Sequence, residues 1–514
     1  MNDQNIPVKR RRVLSLNQED HVSVALADLA PGDVIEKGAV VCRDPIPAGH
    51  KVAVTRINAL SPVRKYGQII GFAANDIEPG DHVHTHNLVM GDFFRDHAIG
   101  QDVRSIQMLP KDSRASFQGF RRTDGSVGTR NTIGVLSTVN CSASVARLIA
   151  AAFTQEVMRD FPHVDGVFPL THGTGCSMIP GGEGFGLLQR ALAGYVHNPN
   201  VAGVLLVGLG CEVNAITSLM QNMDLEQGPM FHALNIQVSG GTGETVRRGV
   251  MAVKGMLASA NRITRVPTQA SYITLGLECG GSDAFSGISA NPALGAAVDI
   301  LISHGGTAIL SETPEIYGAE HLLTRRAVSH RVGEKLLDRI RWWEDYTKQS
   351  GGEINNNPTP GNQAGGITTI LEKSLGASAK AGTANLMEVY GYAEPVSAKG
   401  LVFMDTPGYD PVSVTGMVAG GANVVCFTTG RGSVSGFRPV PTIKLASNTD
   451  MYRSLMDDMD INCGLIVDGK ASVNDMGQAI FRRILDVASG EKTRSERLGL
   501  GDNEFVPWQM GPVM

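Results

Sequence analysis

The sequence predicts an α/β protein: a small N-terminal β-rich domain followed by two α/β domains with largely parallel sheets. Three observations lead there. The length of 514 residues suggests about three domains at roughly 100–200 residues each. Glycine is abundant, at 61 residues, without low-complexity repeats, which implies many tight turns and close backbone approaches. After residue 118, apolar β runs alternate with helical stretches, the pattern of strand–helix units on a parallel sheet.

The N-terminus is polar and ends in Lys9-Arg10-Arg11-Arg12, with no apolar stretch of signal-peptide type after it. It reads as a solvated tail. Residues 22–26 and 51–55 are strand-like, and Pro31-Gly32-Asp33, Pro47-Ala48-Gly49 and Pro79-Gly80-Asp81 are turn signals between and after them. These give a compact β domain over residues 1–95. Residues 96–117 have little periodicity and read as a linker. A second domain, 118–265, and a C-terminal domain, 266–514, carry the alternating pattern. Their expected strands are 132–136, 201–207, 273–277, 307–310, 401–404 and 423–427. Their expected helices are 142–159, 184–197, 244–261, 292–304 and 473–489. The Gly/Asn/Pro-rich stretch 351–366 is either a linker or a long functional loop.

Composition excludes several classes. The net charge of −5 is mild and mixed, unlike that of a strongly basic nucleic-acid binder. No run of about 18 apolar residues is present, so no membrane span is expected. The seven cysteines are odd in number and widely spaced, which argues against a secreted disulfide framework. The expectation is a soluble, cytoplasmic protein with no nucleic-acid or membrane partner.

Ligands of open α/β sheets bind beyond the carboxyl ends of the strands. Six expected strands end in reactive residues: Asn140-Cys141, His172 to Cys176, Cys211-Glu212, Glu278-Cys279 to Asp283, Glu312 to Glu315, and Thr429-Gly430-Arg431. One Cys after a strand is usually a small buried hydrophobe. Four at equivalent ends predict a shared active site at one sheet edge. None of the glycine patterns is a nucleotide fingerprint, since Gly208-Leu-Gly210 has Val213 where the third Gly belongs.

Long stretches now carry a resemblance. Gly119-Phe-Arg-Arg-Thr-Asp-Gly-Ser-Val-Gly-Thr-Arg-Asn131, Gly208-Leu-Gly-Cys-Glu212, Glu278-Cys-Gly-Gly-Ser-Asp283 through Asn291-Pro292, Asn357-Pro-Thr-Pro-Gly-Asn362 and Thr429-Gly-Arg-Gly432 resemble the altronate/galactarate dehydratase family. The resemblance implies an N-terminal domain of the SAF type and removal of water from a sugar acid, giving a 2-keto-3-deoxy acid. The altronate branch is favoured by His84-Thr-His86-Asn87, by Tyr317-Gly-Ala-Glu320 and by Lys380-Ala-Gly382. Galactarate dehydration and a sulfolactate-type carbon–sulfur lyase are the alternatives. A sugar-acid-binding regulatory module is the non-enzyme alternative. A homo-oligomer, a dimer, is expected.

Dehydrating a 2,3-dihydroxy acid removes the C2 proton beside a carboxylate that is already negative. A divalent metal offsets the added charge, and a base and an acid are needed near neutrality. The expected catalytic groups are His50, Lys51 and His172. Arg130, Asn131, Ser282, Asp283, Asn291, Thr429 and Arg431 are expected to bind substrate. His84 and His86, two apart on one strand face, and Glu212 are the expected metal ligands. The family resemblance implies Fe²⁺ or Mn²⁺, and imidazole with carboxylate suits both. The alternative is an iron–sulfur cluster on Cys176, Cys211 and Cys279.

Overall fold

The computed structural model describes residues 12–35 and 39–512. Of the basic run, Lys9, Arg10 and Arg11 lie outside the described residues. Arg12 is described and pairs with Asp33 at 2.6 Å.

The N-terminal region is all β. An antiparallel sheet orders Val13–Leu14, Val22–Ala25, Lys51–Ala53 and His82–Val83, and a second joins Pro62–Lys65, Gln68–Ala73 and Leu88–Val89. Its small core is built from Val22, Val63, Ile70, Ile77 and Val83, and Ala319 and Leu375 of the C-terminal region pack into it. The β domain is therefore docked on the rest of the chain, not tethered beside it.

Two parallel sheets follow. The first orders Gly166–Leu170, Thr132–Ser137, Val201–Gly208 and Phe231–Asn235. The second has seven strands: Leu386–Tyr390, Gly400–Met404, Thr307–Leu310, Thr274–Cys279, Val424–Thr429, Thr442–Ala446 and Ile461–Asn462. Their central strands are largely apolar because helices cover both faces. Between the sheets, Ser116–Arg121 pairs antiparallel with Val127–Gly128 and with Val266–Gln269.

Two expectations are corrected here. The six reactive strand ends do not share one sheet edge: three belong to the four-stranded sheet and three to the seven-stranded sheet. Alternation of strands and helices identifies parallel strands but carries no information on which of them pair. The single helix expected over 142–159 is two, Asn140–Ala151 and Gln155–Met158. The Thr154 side chain accepts from the Val157 N–H and so starts the second.

Candidate active site

The C-terminal crest of the seven-stranded sheet gathers buried ionisable groups. Cys279 closes one strand, and its Sγ lies 3.7 Å from Glu312 Oε2 and 3.6 Å from Glu315 Oε2. Lys380 Nζ donates to Glu312 Oε2 at 3.0 Å. Lys373 Nζ donates to Glu315 Oε1 and to Asn357 Oδ1, both at 2.7 Å. Glu278, Glu312 and Asp410 form a second group whose carboxylate oxygens lie within 4.8 Å of one another, so Glu312 is shared by both groups. Its φ is +67°, a strained conformation for a side-chain-bearing residue, of the sort that concentrates at functional sites.

The electrostatics of this crest are unbalanced. Four carboxyls and a thiol face two lysines. Burial, then Glu312, pushes the Glu278 carboxyl well above its usual range. Burial and the same acidic neighbours raise Asp410 to about 7. Burial raises the Cys279 thiol. Burial disfavours the Lys380 ammonium, but Cys279 and the glutamates outweigh it and raise its pKa. Glu278 Oε1 and Glu312 Oε1 are buried without a hydrogen-bond partner. Buried polar atoms are rarely left so. A divalent cation at the crest would satisfy both atoms and offset the excess negative charge, and the carboxylate-rich donor set suits Fe²⁺ or Mn²⁺.

The N-terminal domain meets the C-terminal region in two places. In its ladder, Lys51 is opposite Val83 and Val52 is opposite His82. With a period of two, His50, His82 and His84 share one face while Lys51 points to the other. On the Lys51 face, Nζ donates to the Gly366 carbonyl at 2.7 Å and to Glu372 Oε2 at 2.8 Å, and Lys65 Nζ donates to Glu372 Oε1 at 2.8 Å. All three side chains are fully buried or nearly so. Burial lowers Lys51 to about 8. Burial opposes the Glu372 charge, but the two lysines prevail and lower its pKa. Lys51 is thus enclosed in the domain junction and pins it, with its ammonium held between Glu372 and the Gly366 carbonyl.

On the other face the imidazoles cluster. His50 Nδ1 lies 2.9 Å from His82 Nε2, His50 Nε2 lies 3.3 Å from the Ala364 carbonyl, and His84 Nε2 lies 2.9 Å from the Gln363 carbonyl. A carbonyl only accepts, so His50 carries its proton on Nε2 and receives one from His82. That leaves His82 Nδ1 as a lone-pair acceptor. Burial lowers the pKa of His50 and His84, and burial with three neighbouring imidazoles lowers His82 to about 4. In all three, burial disfavours the imidazolium form. His84 and His86 do not sit on one strand face as expected. They lie in a turn that Asn87 closes by accepting from the His84 N–H at 2.9 Å. His86 is exposed and its ring stands 5.6 Å from that of His82.

A cavity of about 600 Å³ opens at this junction, lined by Leu26 and Ala48 from the N-terminal domain and by Asp283, Ala364, Arg431 and Asn448 from the C-terminal region. Asp283 is buried there. Its Oδ1 accepts from the Ser286 N–H, the Ser286 hydroxyl and the Ser447 hydroxyl, each at 2.8 Å, and its Oδ2 accepts from Asn448 at 3.0 Å. Arg431 is exposed at the rim, and its guanidinium has no carboxylate partner among the described residues. The stretch 351–366, expected as a linker or a loop, contains the short helices Ile354–Asn356 and Pro360–Ala364, and the second supplies the carbonyls of Gln363 and Ala364 that meet the histidines. Ser282, Asp283 and Lys373 also line a separate, smaller pocket beside Lys65 and Glu372.

Other expected residues have structural partners instead. Arg130 is clamped by Glu496 at 2.6 and 2.8 Å and by the carbonyls of Thr129 and Val487. Asn131 donates to the carbonyls of His163 and Ala260. Asn291 donates to the Gly376 carbonyl and accepts from Thr428, and Thr429 Oγ1 accepts from the Gly432 N–H. His172 belongs to the four-stranded sheet. Its Nε2 donates to the Ser137 carbonyl at 3.0 Å and its Nδ1 accepts from the Thr174 N–H at 3.3 Å, and burial lowers it to about 4. Both ring nitrogens are occupied, which leaves no base. Glu212 accepts from Thr138, Leu209 and Gly210 at 2.7, 3.1 and 2.6 Å. These bonds use both of its oxygens to hold the loop, which makes it a loop cap. Cys279 is buried with Glu312 and Glu315 in the seven-stranded sheet, whereas Cys176 and Cys211 are exposed on the four-stranded one. They do not form one ligand set.

Sequence reasoning placed Glu312 and Glu315 at a reactive strand end without giving them a role, and missed His82, Lys373, Lys380 and Asp410 as site residues. Two signals were available. His82, His84 and His86 alternate. Glu372 and Lys373 are adjacent charges in the helix Ile370–Ser378, whose nine residues are all buried.

Comparison with known proteins follows the same division of the chain. Sequence models match at residues 11–91 (Altronate/galactarate dehydratase SAF domain), 119–261 (D-galactarate dehydratase/Altronate hydrolase, second domain) and 270–513 (D-galactarate/Altronate dehydratase, C-terminal). The altronate dehydratase of Escherichia coli (strain K12) is 35% identical over 488 residues, covering 94% of this chain and 96% of that protein. The altronate dehydratase of Bacillus subtilis (strain 168) is 33% identical over 496 residues, with 94% and 96% covered. The galactarate dehydratase (L-threo-forming) of Escherichia coli (strain K12) is 34% identical over 509 residues, with 97% of each chain covered.

Proposed function

Since the chain belongs to the altronate/galactarate dehydratase family, we propose that it is a cytoplasmic hydro-lyase that dehydrates a sugar acid, D-altronate first among candidates, to a 2-keto-3-deoxy acid. The observation that carries the location of the chemistry is the pair of buried, unpartnered oxygens, Glu278 Oε1 and Glu312 Oε1, beside Cys279 and Glu315. These residues, with Asp410, would hold Fe²⁺ or Mn²⁺. When bound, the ion supplies charge stabilisation for a doubly negative intermediate and assists loss of hydroxide.

The chain's own groups do the rest. Arg431 grips a substrate carboxylate at the cavity rim with its planar, two-pronged donor. The His50–His82 pair leaves His82 Nδ1 as an open hydrogen-bond acceptor. Lys373 holds Glu315 and Asn357 in place beside the crest. Docking of the β domain through Lys51, Glu372 and Lys65 sets His50 and His84 against the Ala364 and Gln363 carbonyls.

The test is incubation of the protein, loaded anaerobically with Fe²⁺, with D-altronate and with galactarate, followed by detection of 2-keto acid. Formation of the 2-keto-3-deoxy acid with altronate is expected, and its loss on chelation. Sulfite release from sulfolactate with no 2-keto product from either sugar acid would reject the reading.

A further inference from the structure

The chain's four buried cysteines are Cys42, Cys279, Cys426 and Cys463, and its three exposed ones are Cys141, Cys176 and Cys211. The exposed three are not scattered. They follow three strands of the four-stranded sheet that are direct neighbours: Thr132–Ser137 in the middle, Gly166–Leu170 and Val201–Gly208 on either side. Free thiols on a surface are a liability that proteins avoid, so three on one crest call for a reason.

The three loops are tied together. The Asn140 N–H donates to the Thr174 carbonyl at 3.0 Å, the Asn214 N–H donates to the Gly175 carbonyl at 3.0 Å, and Asn214 Nδ2 donates to the Thr138 carbonyl at 2.9 Å. The backbone before two of the cysteines is built for close approach. Gly175 has φ +103°, and a Cβ there would lie 2.4 Å from the Thr138 carbonyl. Gly210 has φ +124°, and a Cβ there would lie 2.6 Å from Asn235 Oδ1. Cys141 occupies the first turn of the helix Asn140–Ala151, whose N-terminal dipole favours an anionic group. Glu212, which sequence alone offers as a ligand, is already used to cap the loop that carries Cys211.

We infer that Cys141, Cys176 and Cys211 are the thiolate ligands of an iron–sulfur cluster in the second domain, separate from the acidic crest of the seven-stranded sheet. Thiolates select iron–sulfur clusters, zinc or copper(I) among metal groups. The spacing argues against a single zinc. The three sulfurs are not all within 4.8 Å of one another, whereas three thiolates at about 2.3 Å from one tetrahedral zinc would be about 3.8 Å apart. A cluster takes one thiolate on each of several irons and so accepts the wider set.

The test uses the full chain, purified without oxygen. Iron, acid-labile sulfide and zinc are measured in the wild type and in Cys141→Ser, Cys176→Ser, Cys211→Ser and Cys279→Ser, each checked for folding by thermal melting. The inference expects sulfide in the wild type, its loss in each of the first three variants and its retention in Cys279→Ser. Alkylation of the wild type read by mass spectrometry gives an answer independent of variant folding: the three thiols should be protected together and become reactive after the cluster is stripped. Sulfide-free protein, stoichiometric zinc without sulfide, or three thiols that alkylate freely in iron- and sulfide-loaded protein would overturn it.

Discussion

The two parallel sheets present crests of opposite character. At the crest of the seven-stranded sheet, charged groups crowd together and remain unsatisfied: Glu278 and Glu312 each keep one buried oxygen without a partner. At the crest of the four-stranded sheet, His172 and Glu212 look equally reactive in sequence, yet backbone amides, a carbonyl and Thr138 occupy their polar atoms. A buried ionisable group whose bonds are all made locally is holding a loop. One left incomplete in a preformed shell marks a place for a ligand. The reactive atoms of the four-stranded crest are instead its exposed thiols.

The comparison can be broken most forcefully at the junction that docks the β domain on the C-terminal crest. Glu372→Gln leaves the Lys51 and Lys65 ammonium groups buried without a counter-charge, and chemical denaturation should show a loss of about 3–5 kcal/mol. The sign with pH follows from the lowered carboxyl pKa of Glu372. Below about pH 4.5 the unfolded chain binds a proton that the folded chain does not. The contribution is complete above that pH and fades as pH falls toward the native value. Wild type should therefore lose stability in acid more steeply than the variant. Equal acid limbs would remove Glu372 from its assigned role.

A smaller effect is expected at the cavity rim. Arg431→Ala should raise KM about 10–100-fold, as expected for loss of a charged hydrogen bond worth about 1.5–3 kcal/mol, with kcat little changed. A fall in kcat at unaltered KM would move Arg431 from substrate binding to transition-state stabilisation. The smallest functional effect belongs to the other crest. His172→Asn should lower stability by about 1–2 kcal/mol through weakened loop hydrogen bonds, while turnover of the folded variant stays near wild type. A folded His172→Asn protein without activity would make the four-stranded crest catalytic and erase the contrast.

Much of the architecture was legible in the residues. The apolar runs at 132–136, 201–207 and 307–310 became strands because period-free β-branched segments flanked by Gly and polar loops bury on both faces. Asp283 and Arg431, expected to bind substrate, line the cavity. The partition of strand ends between sheets was not legible, because pairing is decided by packing over long sequence distances. The same limit hid the acidic crest. Glu312 and Glu315 stand between adjacent strands in the chain, but Lys380, Lys373 and Asp410 reach them from helical segments roughly 60–100 residues away, which no local pattern links. His172, Arg130 and Glu212 failed as site residues for a related reason: sequence displays a side chain's chemistry but not whether its bonds are already made.

The most direct test of the account is Mn²⁺ binding followed by electron paramagnetic resonance in Glu312→Gln and Glu212→Gln, with 2-keto acid formation assayed on the same samples and folding verified by melting. Glu312→Gln should lose both the bound-Mn²⁺ signal and activity while remaining folded, and folded Glu212→Gln should keep both. Retained Mn²⁺ and turnover in Glu312→Gln, with both lost in folded Glu212→Gln, would contradict the placement of the chemistry at the seven-stranded crest.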